Sequence, residues 1–186
     1  MAIKPTIYKL SIALSDIDKN YYDQLNLTVA QHPSETLERM FVRILSYCTN
    51  VSSSLNFTAG LSTPDEPDIV EMDLQGSMLH WIDVGEPAFE RIKKASRVAQ
   101  TVSIYSFNRK SDTWWQQERL LFDKLDINVN QFDWPQIQAL ASMVERTMEL
   151  SITISENTFF VASAKGNAEA ACINLKSASK LHNQMR

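Results

Sequence analysis

Within Met78-Leu79-His80-Trp81-Ile82-Asp83-Val84 an aspartate interrupts an apolar, strand-like run. A carboxylate there must be solvated, paired or bound to a cation, because burying it alone costs several kcal/mol. A second acid, Asp68, follows Pro67 at the start of another short strand pattern running to Met72, and Gln75-Gly76-Ser77 suits a hairpin turn between the two. Facing residues of adjacent antiparallel strands have Cβ atoms about 4.5–5.5 Å apart, near enough for Asp68 and Asp83 to share one divalent ion, Mg²⁺ or Mn²⁺. The other reading is a structural acid pair satisfied by arginine or backbone donors.

The preceding helix offers a third acid. Ser34 is a plausible N-cap, and Leu37, Met40, Phe41, Ile44, Leu45 and Cys48 repeat at helical spacing. Glu38 falls on the edge of that apolar face, where it reaches the sheet as a further metal ligand or forms a flank salt bridge. Glu35 points away and suits the positive end of the helix dipole. A later helix carries Arg91, Lys93, Lys94 and Arg97, a local basic stripe that meets phosphates or is only a solvated face. Lys94 lies central in the stripe and Lys93 flanks the apolar face; periodicity does not choose between them. Glu66, Glu71 and Asp73 are nearby, and Glu71 would flank the ion if the register slipped by one residue.

Several elements must position these groups. Thr6 to Leu14 and Leu25 to Val29 alternate around a turn-like Ser15 to Asn20, predicting an N-terminal β-hairpin. Pro87 opens a helix containing Phe89, Ile92, Ala95 and Ala99, and Thr101 to Phe107 returns to a strand pattern, so a crossover and parallel pairing are expected. Then come a helix near Trp114 to Leu125, a strand at Ile127 to Phe132, and a helix capped by Asp133 running to about Met148. The tail alternates at Leu150 to Ile154 and Phe159 to Ser163, with Ala170 to Leu175 as a last strand. The expectation is a single α/β domain over residues 1–186, an α+β mixed sheet flanked by helices.

Composition narrows the field. The chain has 186 residues, 44% hydrophobic and 22% charged, which suits one folded domain with a core. A net charge of -4 supplies no overall field toward nucleic acid or anionic lipid, so phosphate binding must be local. With four glycines there is no dinucleotide fingerprint or P-loop. Cys48 and Cys172 stand apart in apolar contexts and read as reduced core residues. His32 and His80 form no zinc cluster, His80 facing away from Asp83 if the strand alternates. Trp114-Trp115 reads as core or interface rather than as a base-stacking platform. No signal peptide or membrane-length apolar run is found, and a cytoplasmic location is expected.

An acid on a helix, an acid after proline on one strand and an acid on the next resemble the PD-(D/E)XK nuclease outline, with Gly85 standing where its lysine belongs. The segments His32-Pro33-Ser34-Glu35-Thr36-Leu37-Glu38-Arg39-Met40, Leu55 to Leu61, Asp65-Glu66-Pro67, Trp81 to Pro87, Arg91-Ile92-Lys93-Lys94-Ala95 and Trp114-Trp115-Gln116-Gln117 together resemble the bacterial YaeQ family over nearly the full length. That resemblance implies a PD-(D/E)XK-like αβββαβ core, restriction-endonuclease-like, with an N-terminal β-hairpin, C-terminal β additions and a displaced lysine. The leading expectation is a Mg²⁺-dependent nuclease in which Asp68, Asp83 and Glu38 hold the ion and Lys94 stabilises developing charge. The alternative is a non-catalytic module that meets nucleic acid or protein.

Overall fold

A computed structural model describes residues 4–63 and 65–179. Alternation in the first thirty residues builds a long hairpin, β1 (Thr6–Asp16) and β2 (Tyr21–Gln31), closed by a turn in which Asn20 takes a left-handed φ of 53°. One face of it buries Leu10, Ile12, Leu14 and Val29. Helix α1 (Leu37–Thr49) follows, capped by the Thr36 hydroxyl, which accepts from the Arg39 amide. Ser34, the cap expected from sequence, instead bonds the His32 ring through its amide and hydroxyl, because a turn at residues 32–35 precedes the helix. Met40, Phe41, Val42, Ile44, Leu45 and Cys48 are all buried, and a helix apolar on so many sides must be enclosed.

The enclosure is one sheet. After α1 come β3 (Leu55–Phe57), β4 (Ile69–Met72), β5 (Met78–Val84), α2 (Phe89–Val98), β6 (Ala99–Ser106), α3 (Ser111–Phe122), β7 (Asn128–Phe132), α4 (Trp134–Ala141), β8 (Thr147–Ser155), β9 (Thr158–Ser163) and β10 (Gly166–Lys176). Among the described residues the ten strands run in the order β2-β1-β8-β9-β10-β7-β6-β5-β4-β3. The architecture is mixed α/β, with four α-helices among the described residues and a large, nearly closed, barrel-like sheet. Arg43 of α1 ties its two edges: it donates to the Ala30 carbonyl of β2 at 2.9 Å and lies 5.8 Å from the Phe57 ring of β3.

The helix-length connection through α2 does join parallel strands, β5 and β6, as the pattern predicts. Two apolar layers result. The larger lies inside the curl around α1; the smaller packs Trp81, Val102, Ile104 and Val129 against Ile92, Ala95 and Phe122 of α2 and α3. Trp115 stacks on Phe122 there, Trp114 packs on it at a tilt, and the Trp114 indole donates to the Pro87 carbonyl. Both cysteines are free and buried, and burial pushes each thiol up to about 12, leaving them inert at neutral pH.

Several element boundaries differ from the sequence expectation, α4 most of all, and one strand was not expected. Helix α4 stops at Ala141, and Met148 belongs to β8 opposite Leu10, because β1 offers a parallel edge that residues 147–155 fill. Strand β3, three residues beside β4, is too short for any periodicity to announce. Among the described residues no helix is long and apolar enough to cross a membrane.

Candidate functional site

Asp68 sits one residue before β4, and its amide donates to the Ile82 carbonyl, so the β4–β5 register of Ile69 to Ile82 continues and sets it across from Asp83. Both carboxylates are buried, and both line a cavity of about 300 Å³ at the carboxyl ends of β5 and β6, together with Arg39, Gly85, Glu86 and Arg91. The crevice beyond the carboxyl ends of parallel strands is where open α/β sheets bind ligands.

Each acid meets a guanidinium from a different helix. From α1, Arg39 Nη2 contacts the Asp68 oxygens at 2.7 and 2.8 Å, and the Val84 amide donates to Oδ2 at 2.8 Å. From α2, Arg91 grips Asp83 in a fork, Nε to Oδ2 at 2.6 Å and Nη2 to Oδ1 at 3.0 Å. Arg91 also donates to the Glu66 carbonyl at 2.7 Å and lies over the Trp81 ring. Behind Arg39 the network continues inward: Glu35 accepts from Arg39 at 2.8 Å and from Arg43 twice, at 2.8 and 2.7 Å.

The structure therefore changes several assignments. Glu35, expected to point away, is the buried acid that links Arg39 to Arg43, since the cap of α1 is Thr36, two residues after Ser34, and Glu35 lies before the helix with its carboxylate inward. Glu38 is half-buried on α1 and does not line the cavity. Lys94 does not line it either; it pairs with Asp65 at 2.9 Å, with side chains 72% and 83% exposed. Lys93 pairs with Glu90 beside Phe89, and Arg97 is exposed in the last turn of α2. Arg91 alone of the basic stripe enters the site. Glu71 lies on the other sheet face, opposite His80, so the register slip does not occur.

Two residues beside the acids set the shape of the cavity. Gly85 has a φ of +114°, which L side chains rarely adopt, so backbone strain rather than lack of space keeps a lysine out. Glu86 clamps the next loop, accepting from the Phe107 and Asn108 amides at 3.2 and 3.0 Å and from the Asn108 amide group and the Ser111 hydroxyl. Arg39 and Glu86 were not singled out from the sequence. The i, i+4 spacing of Glu35 and Arg39 was the available signal for the first.

A family model described as YaeQ protein matches residues 1–172. The chain belongs to the YaeQ family. It is 38% identical to the YaeQ protein of Salmonella typhi and 37% to that of Escherichia coli K12, each alignment spanning 91% of this chain and 94% of the relative. Crystal structures of YaeQ proteins from Xanthomonas axonopodis pv. citri (28% identity, TM-score 0.90) and Pseudomonas syringae (33%, TM-score 0.88) each cover 93% of this chain, and 99% and 97% of their own. The barrel-like sheet is thus a property of the YaeQ fold.

The electrostatics of the two pairs differ. Burial pushes the Asp83 carboxyl above its ordinary value; hydrogen bonds and charge from Arg91 pull it down, and the nearby Asp68 charge pushes it up again. Arg91 is held charged above its usual range by its hydrogen bonds to Asp83. Burial works against the charge on Arg39, but Asp68 and Glu35 together more than offset it. Arg39 is 16% exposed and locked between two acids, whereas Arg91 is 31% exposed at the rim.

A divalent ion fits this donor set under one condition. An ionised carboxylate offers about four lone-pair directions. Contacts to Arg39 and Val84 use three on Asp68, and Arg91 uses two on Asp83. Among the described residues no three His, Cys, Asp or Glu side chains are grouped to hold an ion. Magnesium is commonly held by one or two carboxylates plus waters and substrate phosphates, so two suffice once Arg91 leaves Asp83.

Proposed function

We propose that this chain is a metal-dependent, nuclease-like protein that hydrolyses phosphodiesters on a PD-(D/E)XK-type core. Asp68 and Asp83 are its ligands for Mg²⁺ or Mn²⁺, and Arg91 takes the place first given to Lys94. The observation that carries this reading is the convergence of Asp68, Asp83 and Arg91 on one cavity at the carboxyl edge of the parallel strands. When bound, such an ion polarises a phosphoryl oxygen and acidifies a water. Arg91, released from Asp83, turns its fork to the phosphate, where planar bidentate geometry suits two oxygens. Asp68 stays fixed by Arg39 and the Val84 amide, so its orientation is set before substrate arrives. Water adds to phosphorus, one P–O ester bond breaks, and the departing oxygen takes the proton.

A non-catalytic module binding nucleic acid or protein is the second reading, favoured by the guanidinium on each acid and by glycine at position 85. Calorimetric titration with Mn²⁺ separates the two. Saturable binding is expected for wild type, lost in Asp68→Asn/Asp83→Asn and tightened in Arg91→Ala, which removes the competing cation. Hydrolysis of a mixed pool of DNA and RNA oligonucleotides should follow the metal and fall in Arg91→Ala. Absence of saturable binding in both wild type and Arg91→Ala would sink the hydrolase reading and leave the interaction role.

A further inference from the structure

The inner face of the sheet changes character along its strands. Where α1 covers it, the face carries Ile69, Ile82 and Phe132. Past the last turn of α1, the same face carries Glu71, His80, Ser103, Asn128, Asn130 and Asn174 around a second cavity of about 670 Å³. The outer face of those strands is apolar, Val102, Ile104 and Val129 lying under α2 and α3. Polarity therefore points into the curl, the reverse of a sheet with one solvated face. Asparagine is poorly suited to strands, yet the register sets Asn128 beside Ser103, and Asn130 between Tyr105 and Asn174. Positions that break a local rule without a packing return are where function is sought.

The hydrogen bonds show what this cavity still offers. The Asn130 carbonyl oxygen accepts from Asn174 at 3.1 Å and that of Asn128 from the Ala178 amide at 2.9 Å, so both amides are held by their oxygens. Their NH₂ groups meet no protein acceptor among the described residues. His80 Nε2 pairs with the Ser103 hydroxyl at 2.8 Å, and the Tyr105 hydroxyl accepts from Asn50 at 2.8 Å while burial keeps it protonated and able to donate. The buried Ser52 hydroxyl on the wall also has no partner among the described residues. Formal charge is sparse and committed: Lys19 donates to the Thr49 carbonyl and hydroxyl, and the acids are Asp16 and Glu71. Among the described residues no arginine lines the cavity, so an anionic group meets no guanidinium there.

We propose that this cavity binds an uncharged polyhydroxylated small molecule, a mono- or disaccharide. Each sugar hydroxyl donates and accepts, matching amide NH₂ donors beside the Glu71 and Asp16 carboxylates, and the volume lies within the range of small-ligand sites, about 300–1,000 Å³. The proposal is independent of the metal reading, because among the described residues the two cavities share no lining residue.

The test is NMR and calorimetric titration of the full chain with D-glucose, D-ribose and maltose, and with ribose 5-phosphate as charged counterpart. A neutral sugar should saturate and shift the side-chain NH₂ signals of Asn128 and Asn130 in the wild-type protein, a readout that needs no variant to fold. Binding should weaken roughly tenfold in Asn130→Ala, the loss of about one hydrogen bond, and stay unchanged in Asp83→Asn. Failure of all three neutral sugars to bind, or tighter binding of ribose 5-phosphate, would overturn it.

Discussion

The two ends of the parallel strands treat polar side chains in opposite ways. At the carboxyl ends the polar groups are carboxylates and guanidiniums closed on one another: Asp68 with Arg39, Asp83 with Arg91, Glu35 with Arg39 and Arg43. At the amino ends they are mostly neutral amides and hydroxyls around a cavity more than twice as large, Asn128 and Asn130 tethered by their oxygens only. Buried charge demands a counter-charge in the same protein, whereas a neutral amide tolerates a solvated or ligand-filled space. The first end is built tight around its own partners and the second is left open for another.

The largest effect should come from unpairing the charged end where it is deepest. Arg43 is 3% exposed beside Glu35 at 1%, so Arg43→Ala should cost about 3 kcal/mol, because it strips Glu35 Oε2 of its partner and leaves Arg39 as the one guanidinium on a buried carboxylate. Urea denaturation at unchanged m-value checks this; a loss near zero would mean that water reaches Glu35. Arg91, at the rim, should cost far less: Arg91→Ala lowers stability by about 1 kcal/mol, because solvent screens a partly exposed pair.

The pH dependence sharpens the same contrast. Burial raises the Asp83 carboxyl above the unfolded value of 3.8. Its contribution to stability is therefore fully present below that value and is lost as pH rises through the folded pKa. The stability of wild type minus that of Asp83→Asn should decline as pH climbs above 3.8 and then level off. Removing Arg91 takes away the downward pull and should extend the decline to higher pH. A difference that grew with pH would show that the arginine, not burial, controls this carboxyl.

The smallest effect belongs to the open end and has the opposite sign. Asn130→Val exchanges a poor strand former for a good one where no packing is lost, so thermal unfolding should show a gain of about 0.5 kcal/mol. Destabilisation instead would mark the asparagine tether as structural and weaken the contrast between the two ends.

Much of the charged site was legible in the sequence because a short hairpin fixes its own register. Gln75-Gly76-Ser77 and the two short strands it joins bring Asp68 level with Asp83 despite an irregularity at Glu71/Met72, and Gly76 takes a φ of +83° in the turn. The partners were not legible. Arg39 lies 29 residues before Asp68, and a helical wheel states which side chains share a face without stating where that face points. For α2 the burial of Ile92 and Ala95 fixes the rotation, which brings Arg91 to the cavity and leaves Lys94 outside with Asp65. The polar cavity escaped because alternating polar residues in a strand read as a solvated face. Here that face is turned inward.

By itself the sequence determined the hairpins, the crossover through α2, the helix of α1 that is apolar on most sides, and the two thiols held in the core. Each follows from short-range periodicity, which records how much of a segment is buried and on which side. Only the tertiary structure decided that β1 would lie parallel to β8, with Leu10 opposite Met148, and so curl the sheet around α1. That pairing decided which face became the inside, which cations reached the acids and which amides were left around an open space. Periodicity is blind to such choices because it is set by neighbours along the chain, whereas the pairing of distant strands is set by the packing of the whole.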